Sequence, residues 1–306
     1  MSSFDPTTIA LLGLGEGGTA LARGFAEDSG WRQPGSNRSL IAVDIALGEG
    51  IRGEAMAERA AAMGVQIAKG YTPALSEAAF VTSTVTGDDA LDAARSALEY
   101  LAPGTVYLDF NTITRKTAQE IAGLMAEKSV RYVDVAVFGS FHAVGYRTPL
   151  LISGESTDRI VPWMRQLGFV VQVLNDRAGD ASAVKMLRSI MVKGMEALAI
   201  ECLVAAREQD LLEEVLNCFG DIDQATFRGM LDILVTTHVP HAKRRMEEVQ
   251  KVNKNLIETG IEPLMSAATL RNHERSVAAE IAGEGKVPAL EEALEILTDK
   301  VVRPTR

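Results

Sequence analysis

The sequence predicts an α/β chain: a doubly wound parallel sheet over residues 1–179, then an all-helical part over residues 180–306. Three observations predict it. Short apolar, β-branched runs alternate with longer amphipathic stretches through the first half, in the order strand, helix, strand. A glycine-rich turn follows the first of those runs directly. From residue 181 to 210 there is no proline and one glycine, Gly194, and no strand signal comes after it.

Taken in order, residues 9–12 are a short apolar strand, residues 13–18 the turn, and residues 19–27 the first helix. Strands follow at 40–43, 65–67, 79–85, 105–110 and 131–137, with helices at 55–63, 90–101 and 115–128 between them. Repetition of this unit with right-handed crossovers puts helices on both faces of a parallel sheet. Residues 149–153 and 169–174 read as the last strands, and Gly179-Asp180 offers a turn and an N-cap for the long helix. Further helices are expected at 213–219, 225–237, 241–259, 261–273 and 288–297, with Pro240 breaking helical geometry between the second and third. The turn-rich segment 29–37 is expected on the surface.

Composition narrows the class. The chain has 306 residues, 47% of them hydrophobic, enough for two domains with sizeable cores. A formal net charge of -10 repels phosphate backbones, so nucleic acid is not an expected partner. Cys202 and Cys218 stand alone, outside any zinc-ligand spacing, as suits a reducing, cytoplasmic compartment. The N-terminal residues lack a basic segment before an apolar run, and no uncharged stretch of about 18 apolar residues occurs, so neither signal peptide nor membrane span is expected. His238 and His241 lack a third nearby ligand, so no metal is expected.

The turn carries the first chemistry. Gly13, Leu14, Gly15, Glu16, Gly17 and Gly18 fit G-x-G-x-x-G between a strand and a helix, the fingerprint of a Rossmann dinucleotide-binding unit. Gly13 makes the tight turn, Gly15 lets the backbone approach a pyrophosphate, and Gly18 lets helix and strand pack closely. The helix N-terminus then presents N–H groups to the phosphates. Asp44 ends the second strand, where a carboxylate accepts from both ribose hydroxyls and repels a 2′-phosphate, favouring NAD over NADP. A strand-end aspartate also caps turns, and Arg52 nearby is suited to a 2′-phosphate, so NADP stays open. Thr84, Val85 and Thr86 end the fourth strand, on the side where such sheets bind ligands. They are equally good strand formers.

Several segments together resemble the β-hydroxyacid dehydrogenase superfamily of 6-phosphogluconate and 3-hydroxyisobutyrate dehydrogenases. They are the Gly13–Gly18 loop, Asp109-Phe-Asn111-Thr112, Asp134-Val-Ala-Val-Phe138-Gly139-Ser140, and Gly179-Asp-Ala-Ser-Ala-Val-Lys185. Around Lys185-Met-Leu-Arg-Ser189, His241-Ala-Lys-Arg-Arg245 and Gly260-Ile-Glu-Pro263 the chain is similar to the branch with the C-terminal domain of unknown function 1932. The resemblance implies a homodimer with active sites in a cleft between domains. It also implies Lys185 as catalytic acid and base with Asn111 and Ser189 beside it, and His241 and Arg245 as substrate contacts.

The chain departs from the family pattern at three places. Asn111 replaces a serine, Phe138-Gly139-Ser140 replaces Ser-Gly-Gly, and Ser189 replaces an asparagine. Those positions grip the substrate in the parent families, so the changes point to a bulkier or less charged molecule than a small hydroxyacid. Lys185, Arg188, Ser189, Lys193 and Glu196 also share one helical face by spacing alone, either as a catalytic stripe or as a wetted surface. Phe138, Phe141 and Tyr146 either line a substrate wall or pack the sheet edge.

The expected reaction is hydride transfer between a nicotinamide and a hydroxy or carbonyl substrate. Lys185 handles the proton once burial and neighbouring cations lower its pKa. Imine reduction on the same scaffold, and a non-catalytic dinucleotide-binding protein, are the rival readings.

Overall fold

In a computed structural model, residues 4–47, 50–155, 157–222, 224–282 and 285–303 are described, and the chain divides into two compact units, Met1–Ser189 and Ile190–Arg306. The first unit is built on eight strands: β1 (Thr8–Leu12), β2 (Ser39–Val43), β3 (Gln66–Ile67), β4 (Phe80–Ser83), β5 (Val106–Asp109), β6 (Arg131–Val137), β7 (Leu150–Ser153) and β8 (Val171–Asn175). They form one sheet in the order β3-β2-β1-β4-β5-β6-β7-β8. Every neighbouring pair is parallel except β6 and β7. The strand order turns back between β1 and β4, which opens a crevice beyond their carboxyl ends.

The inner strands are apolar on both faces because both are covered, whereas the edge strands β3 and β8 are largely exposed. Ile9, Leu11 and Phe80 join one core with residues of α1 (Glu16–Arg23), α2 (Gly50–Ala62) and α6 (Thr157–Gln166), where Phe80 and Trp163 meet edge to face at 5.0 Å between centroids. Ala10, Leu12 and Val81 join the other core with α3 (Ala90–Leu98) and α4 (Arg115–Glu127). A short helix, α5 (Phe141–Val144), follows β6. Trp31 is buried, and its indole N–H donates to the Pro6 carbonyl at 3.1 Å. The segment 29–37 therefore lies on the surface but is anchored in the core through Trp31.

Two helices were not legible. α6 carries Pro162 inside it, and α5 is a single turn. α6 carries the helical apolar spacing at Ile160, Val161 and Met164, but Pro162 within it reads as a breaker, and α5 is too short to show any period.

The long helix predicted from residue 181 is α7 (Asp180–Glu208). After it come α8 (Leu212–Asn217), α9 (Phe227–Glu258), α10 (Met265–Ala278) and α11 (Leu290–Leu297). The expected break at Pro240 is absent: α9 runs through it for 32 residues. A proline inside a helix costs about 3 kcal/mol. Packing on both sides offsets this, since Val239 and Ala242 are buried and His238 Nε2 shares a 2.8 Å hydrogen bond with Ser276 Oγ on α10. Propensity yields here to tertiary contact.

Candidate active site

The carboxyl ends of β1, β2, β4 and β5 bring together the glycine loop, Asp44, Thr84 and Asn111. Gly13 has φ +92°, and a Cβ there would lie 2.6 Å from the Thr84 carbonyl oxygen. A Cβ on Gly18 would lie 2.0 Å from the Gly13 carbonyl oxygen. Gly13 is thus required for the loop to pack on the end of β4, and Gly18 for it to close on itself. Gly15 differs: nothing lies within 4 Å of a Cβ built there, so its missing side chain leaves open space above the backbone. The first helical hydrogen bond of α1 runs from Thr19 N to Gly15 O at 2.9 Å, so the N–H groups of Glu16, Gly17 and Gly18 precede it and face outward. An open glycine beside a helix N-terminus is the cradle a dinucleotide pyrophosphate requires, and the residues fit that group.

Asp44 holds this loop. Its Oδ2 accepts from Leu14 N–H at 2.7 Å and its Oδ1 from Ala46 N–H at 2.8 Å. It therefore caps the turn after β2, and each oxygen keeps a lone pair for a ribose hydroxyl. The Arg52 side chain lies outside the described residues. Thr84 Oγ1 donates to the Gly13 carbonyl at 3.1 Å, which ties β4 to the loop. Val85 packs on the second core, and Thr86 Oγ1 donates to Asp89 Oδ2 at 2.5 Å. The segment after β6 folds over the loop: Phe141 lies 3.2 Å from where a Gly17 Cβ would be, and Glu16 faces Ser140 at 3.5 Å and His142 at 3.3 Å. Gly139 takes φ +145°, a conformation glycine alone adopts readily.

Asn111 is buried at the end of β5. Its Nδ2 donates to Ser83 Oγ at 3.0 Å, while its Oδ1 has no partner among the described residues. Next to it, Thr112 Oγ1 accepts from Lys185 Nζ at 2.9 Å. Burial pulls the Lys185 pKa below its ordinary value, and the Asp134 carboxylate pushes back. Arg188 sits over the Phe138 ring at 5.5 Å. Ser189 Oγ donates to the Lys185 carbonyl at 2.9 Å, so its hydroxyl is turned onto its own helix.

The residue that sequence reasoning missed is Asp134. It is fully buried in β6, and its carboxylate accepts from Ser182 N–H at 2.8 Å, Ser182 Oγ at 2.5 Å and Ser153 Oγ at 3.3 Å. Ser153 Oγ in turn accepts from Ala181 N–H at 2.9 Å. The orphan donors of the first turn of α7 are thereby satisfied, one turn before Lys185. The signal available was a lone carboxylate inside an otherwise apolar strand, 131–137.

The other candidates lie in the second unit. Lys193 pairs with Glu196 at 2.8 Å on an exposed face of α7. His241 and Arg245 are half-buried on α9, and Arg245 donates to Thr237 Oγ1 at 2.7 Å. Among the described residues no group of three His, Cys, Asp or Glu side chains is placed to hold a metal, and no helix is long and apolar enough to cross a membrane.

Comparison with known proteins agrees with this geometry. Residues 8–174 match the family model of the NAD binding domain of 6-phosphogluconate dehydrogenase, and residues 206–276 match the domain of unknown function DUF1932. An uncharacterized 28.5 kDa protein of Methanothermus fervidus is 26% identical over 218 residues, which cover 71% of this chain and 84% of that protein. The structure of the conserved protein MTH1747, described as similar to 3-hydroxyacid dehydrogenases, is 29% identical, covers 90% of this chain and 99% of its own, and has a TM-score of 0.58. An imine reductase from Aspergillus terreus shares the fold with a TM-score of 0.73 at 18% identity, covering 94% of this chain and 98% of its own. With the glycine cradle matched by the family model, the chain belongs to the 6-phosphogluconate dehydrogenase-like NAD-binding family and is an NAD(P)-dependent oxidoreductase.

Proposed function

We propose that this oxidoreductase interconverts a hydroxy and a carbonyl group on a small molecule, with Lys185 as general acid and base. The observation that carries the reading is the position of Lys185 Nζ, 2.9 Å from Thr112 at the end of β5 and shifted by burial toward easier deprotonation. The nicotinamide, when bound, supplies or accepts the hydride. In the reducing direction the Lys185 ammonium donates a proton to the developing alkoxide, and in oxidation the neutral amine takes it back. Asn111 and Ser189 orient the reacting group, Asn111 through its unpartnered Oδ1 and Ser189 through the lone pairs its hydroxyl keeps, and Phe138, Gly139 and Ser140 form its wall. The aromatic Phe138, at a position where the resemblance implies a serine, also favours a second electrophile, a cyclic or bulky imine.

Asp44, held by two backbone N–H groups at the end of β2, supports a preference for NAD over NADP, because a 2′-phosphate would meet its charge. We also propose a homodimer, since Leu187, Ile190, Leu198 and Ile200 on α7 are all exposed in the single chain. Two exposed free thiols, Cys202 and Cys218, support a cytoplasmic location. The test is turnover of a panel of alcohols, ketones and imines with each cofactor, run on wild type and Lys185→Ala. Equal turnover by the two proteins removes the role of Lys185, and better binding of NADP removes that of Asp44.

A further inference from the structure

The helical unit carries an open cavity of about 510 Å³ on its surface, between α9, α10, the end of α11 and the segment that follows it. That is the size of small-ligand sites, roughly 300–1,000 Å³. Its lining is mostly apolar, with Leu234, Val235 and Val301 among the wall residues, and Arg245, His238 and His273 supply the polar part. Arg245 is half-buried and makes no ion pair among the described residues. Its guanidinium donates to Thr237 Oγ1 at 2.7 Å and weakly to the Leu234 carbonyl at 3.4 Å, which leaves further N–H donors of the five it carries.

The two histidines are close, with ring centroids 5.0 Å apart. Burial, then the neighbouring His273 and Arg245, hold His238 down to about 4, and burial with Arg245 lowers His273 as well. Both rings are therefore neutral at pH 7, and Arg245 is the single charge on the wall. A half-buried cation without a counter-ion, over an apolar hollow, calls for an anion with an apolar body. A planar guanidinium matches a carboxylate in geometry, and one cation balances one negative charge, not two.

We propose that this cavity binds an organic monocarboxylate, with its carboxylate on Arg245 and its apolar body against Leu234, Val235 and Val301. The proposal concerns binding and not turnover, so it stands or falls separately from the role given to Lys185.

The test uses the full-length protein without cofactor and 3-phenylpropanoate as probe, followed by calorimetry and by the side-chain resonances of His238 and His273. Two comparators are 3-phenylpropanamide, which keeps the body without the charge, and acetate, which keeps the charge without the body. The acid should bind and shift both histidine resonances, and each comparator should bind at least about tenfold more weakly, since a charge-assisted hydrogen bond is lost in one and apolar burial in the other. Arg245→Gln should weaken the acid by about tenfold or more, and Arg245→Lys by less. Equal affinity for acid and amide, unmoved histidine resonances, or full binding by Arg245→Gln overturns the proposal. If Arg245→Gln does not fold, the comparison of acid with amide on the wild type decides alone.

Discussion

At the scale of single residues, the glycine loop separates two kinds of necessity. Gly18 is needed by the fold, because a Cβ there would lie 2.0 Å from the Gly13 carbonyl oxygen. Gly15 is not needed by the fold in this way, because its Cβ would meet nothing, and the role expected of it lies with a bound cofactor. Gly15→Ala should therefore keep the wild-type Tm and lose cofactor affinity, whereas Gly18→Ala should lower both. A Gly15→Ala protein that binds NADH normally by fluorescence titration would show that the pyrophosphate does not pass over this residue. Lys185 is the second residue whose role is separable. Removing a general acid–base group costs roughly 10²–10⁴-fold in kcat, and Lys185→Ala should lose that much while its NADH affinity stays unchanged. Lys185→Arg should not recover the rate, since a guanidinium keeps its proton. Stopped-flow hydride transfer by the two variants at wild-type speed would leave Lys185 as a surface group.

At the scale of elements, the first turn of α7 depends on a carboxylate from β6. Asp134→Ala would strand the Ser182 donors at a cost of about 1–3 kcal/mol. Asp134→Asn is the more informative change, because it keeps an acceptor and removes a charge. The Asp134 carboxylate raises the Lys185 pKa against burial, so its neutralisation should move the lysine limb of the kcat/KM pH profile to lower pH. A limb that stays in place while the rate falls would mean that Asp134 only supports the helix.

The sequence announced most of this architecture and little of this support. All eight strands were legible: the inner ones because strands covered on both faces are short apolar runs, and the exposed edge strands β3 and β8 because turn residues bound them. The steric roles of Gly13 and Gly18 were legible because the motif is contiguous in the chain. The clamp of Asp134 on Ser182 was not, because its partners are 48 residues apart and only the folded sheet brings them together. The continuation of α9 through Pro240 was hidden for the same reason: it depends on Ser276, far along the chain.

At the scale of the whole molecule, buried charge sets how stability follows pH. Asp109 is fully buried, and desolvation pushes it from 3.8 up to about 7, although Asn111 N–H and the Tyr132 hydroxyl donate to it. The folded state thus holds this proton where the unfolded chain releases it. Stability is full below the unfolded pKa and is lost as pH rises toward 7, by up to about 2–3 kcal/mol between pH 5 and pH 8. Asp180 works in the opposite sense: Asn175, then Arg115, hold it down to about 2, and that contribution is constant above pH 5. Denaturant unfolding should accordingly show wild type losing stability from pH 5 to pH 8 relative to Asp109→Asn. Parallel curves for the two proteins would place the titration elsewhere. Assembly belongs to this scale too. Ile190 and Leu198 on α7 are exposed by 73% and 46%, so light scattering should give a dimer, and Ile190→Glu with Leu198→Glu should give a monomer. A wild-type protein that is already monomeric on dilution would remove the dimer.

The position of Lys185 within α7 also has a consequence for anyone recombining such proteins. The residue belongs by contact to the sheet-bearing unit, which ends at Ser189, yet it is carried by the helix that continues into the other unit. A chimera joined ahead of Asp180 would take Lys185 from the donor of the helical half, and graft it onto a β6 carboxylate from a parent with a different helix start. A junction placed after Ser189 keeps Asp134, Ser182 and Lys185 from one parent, so the carboxylate, the helix start that it caps and the lysine one turn later are exchanged as a set or not at all.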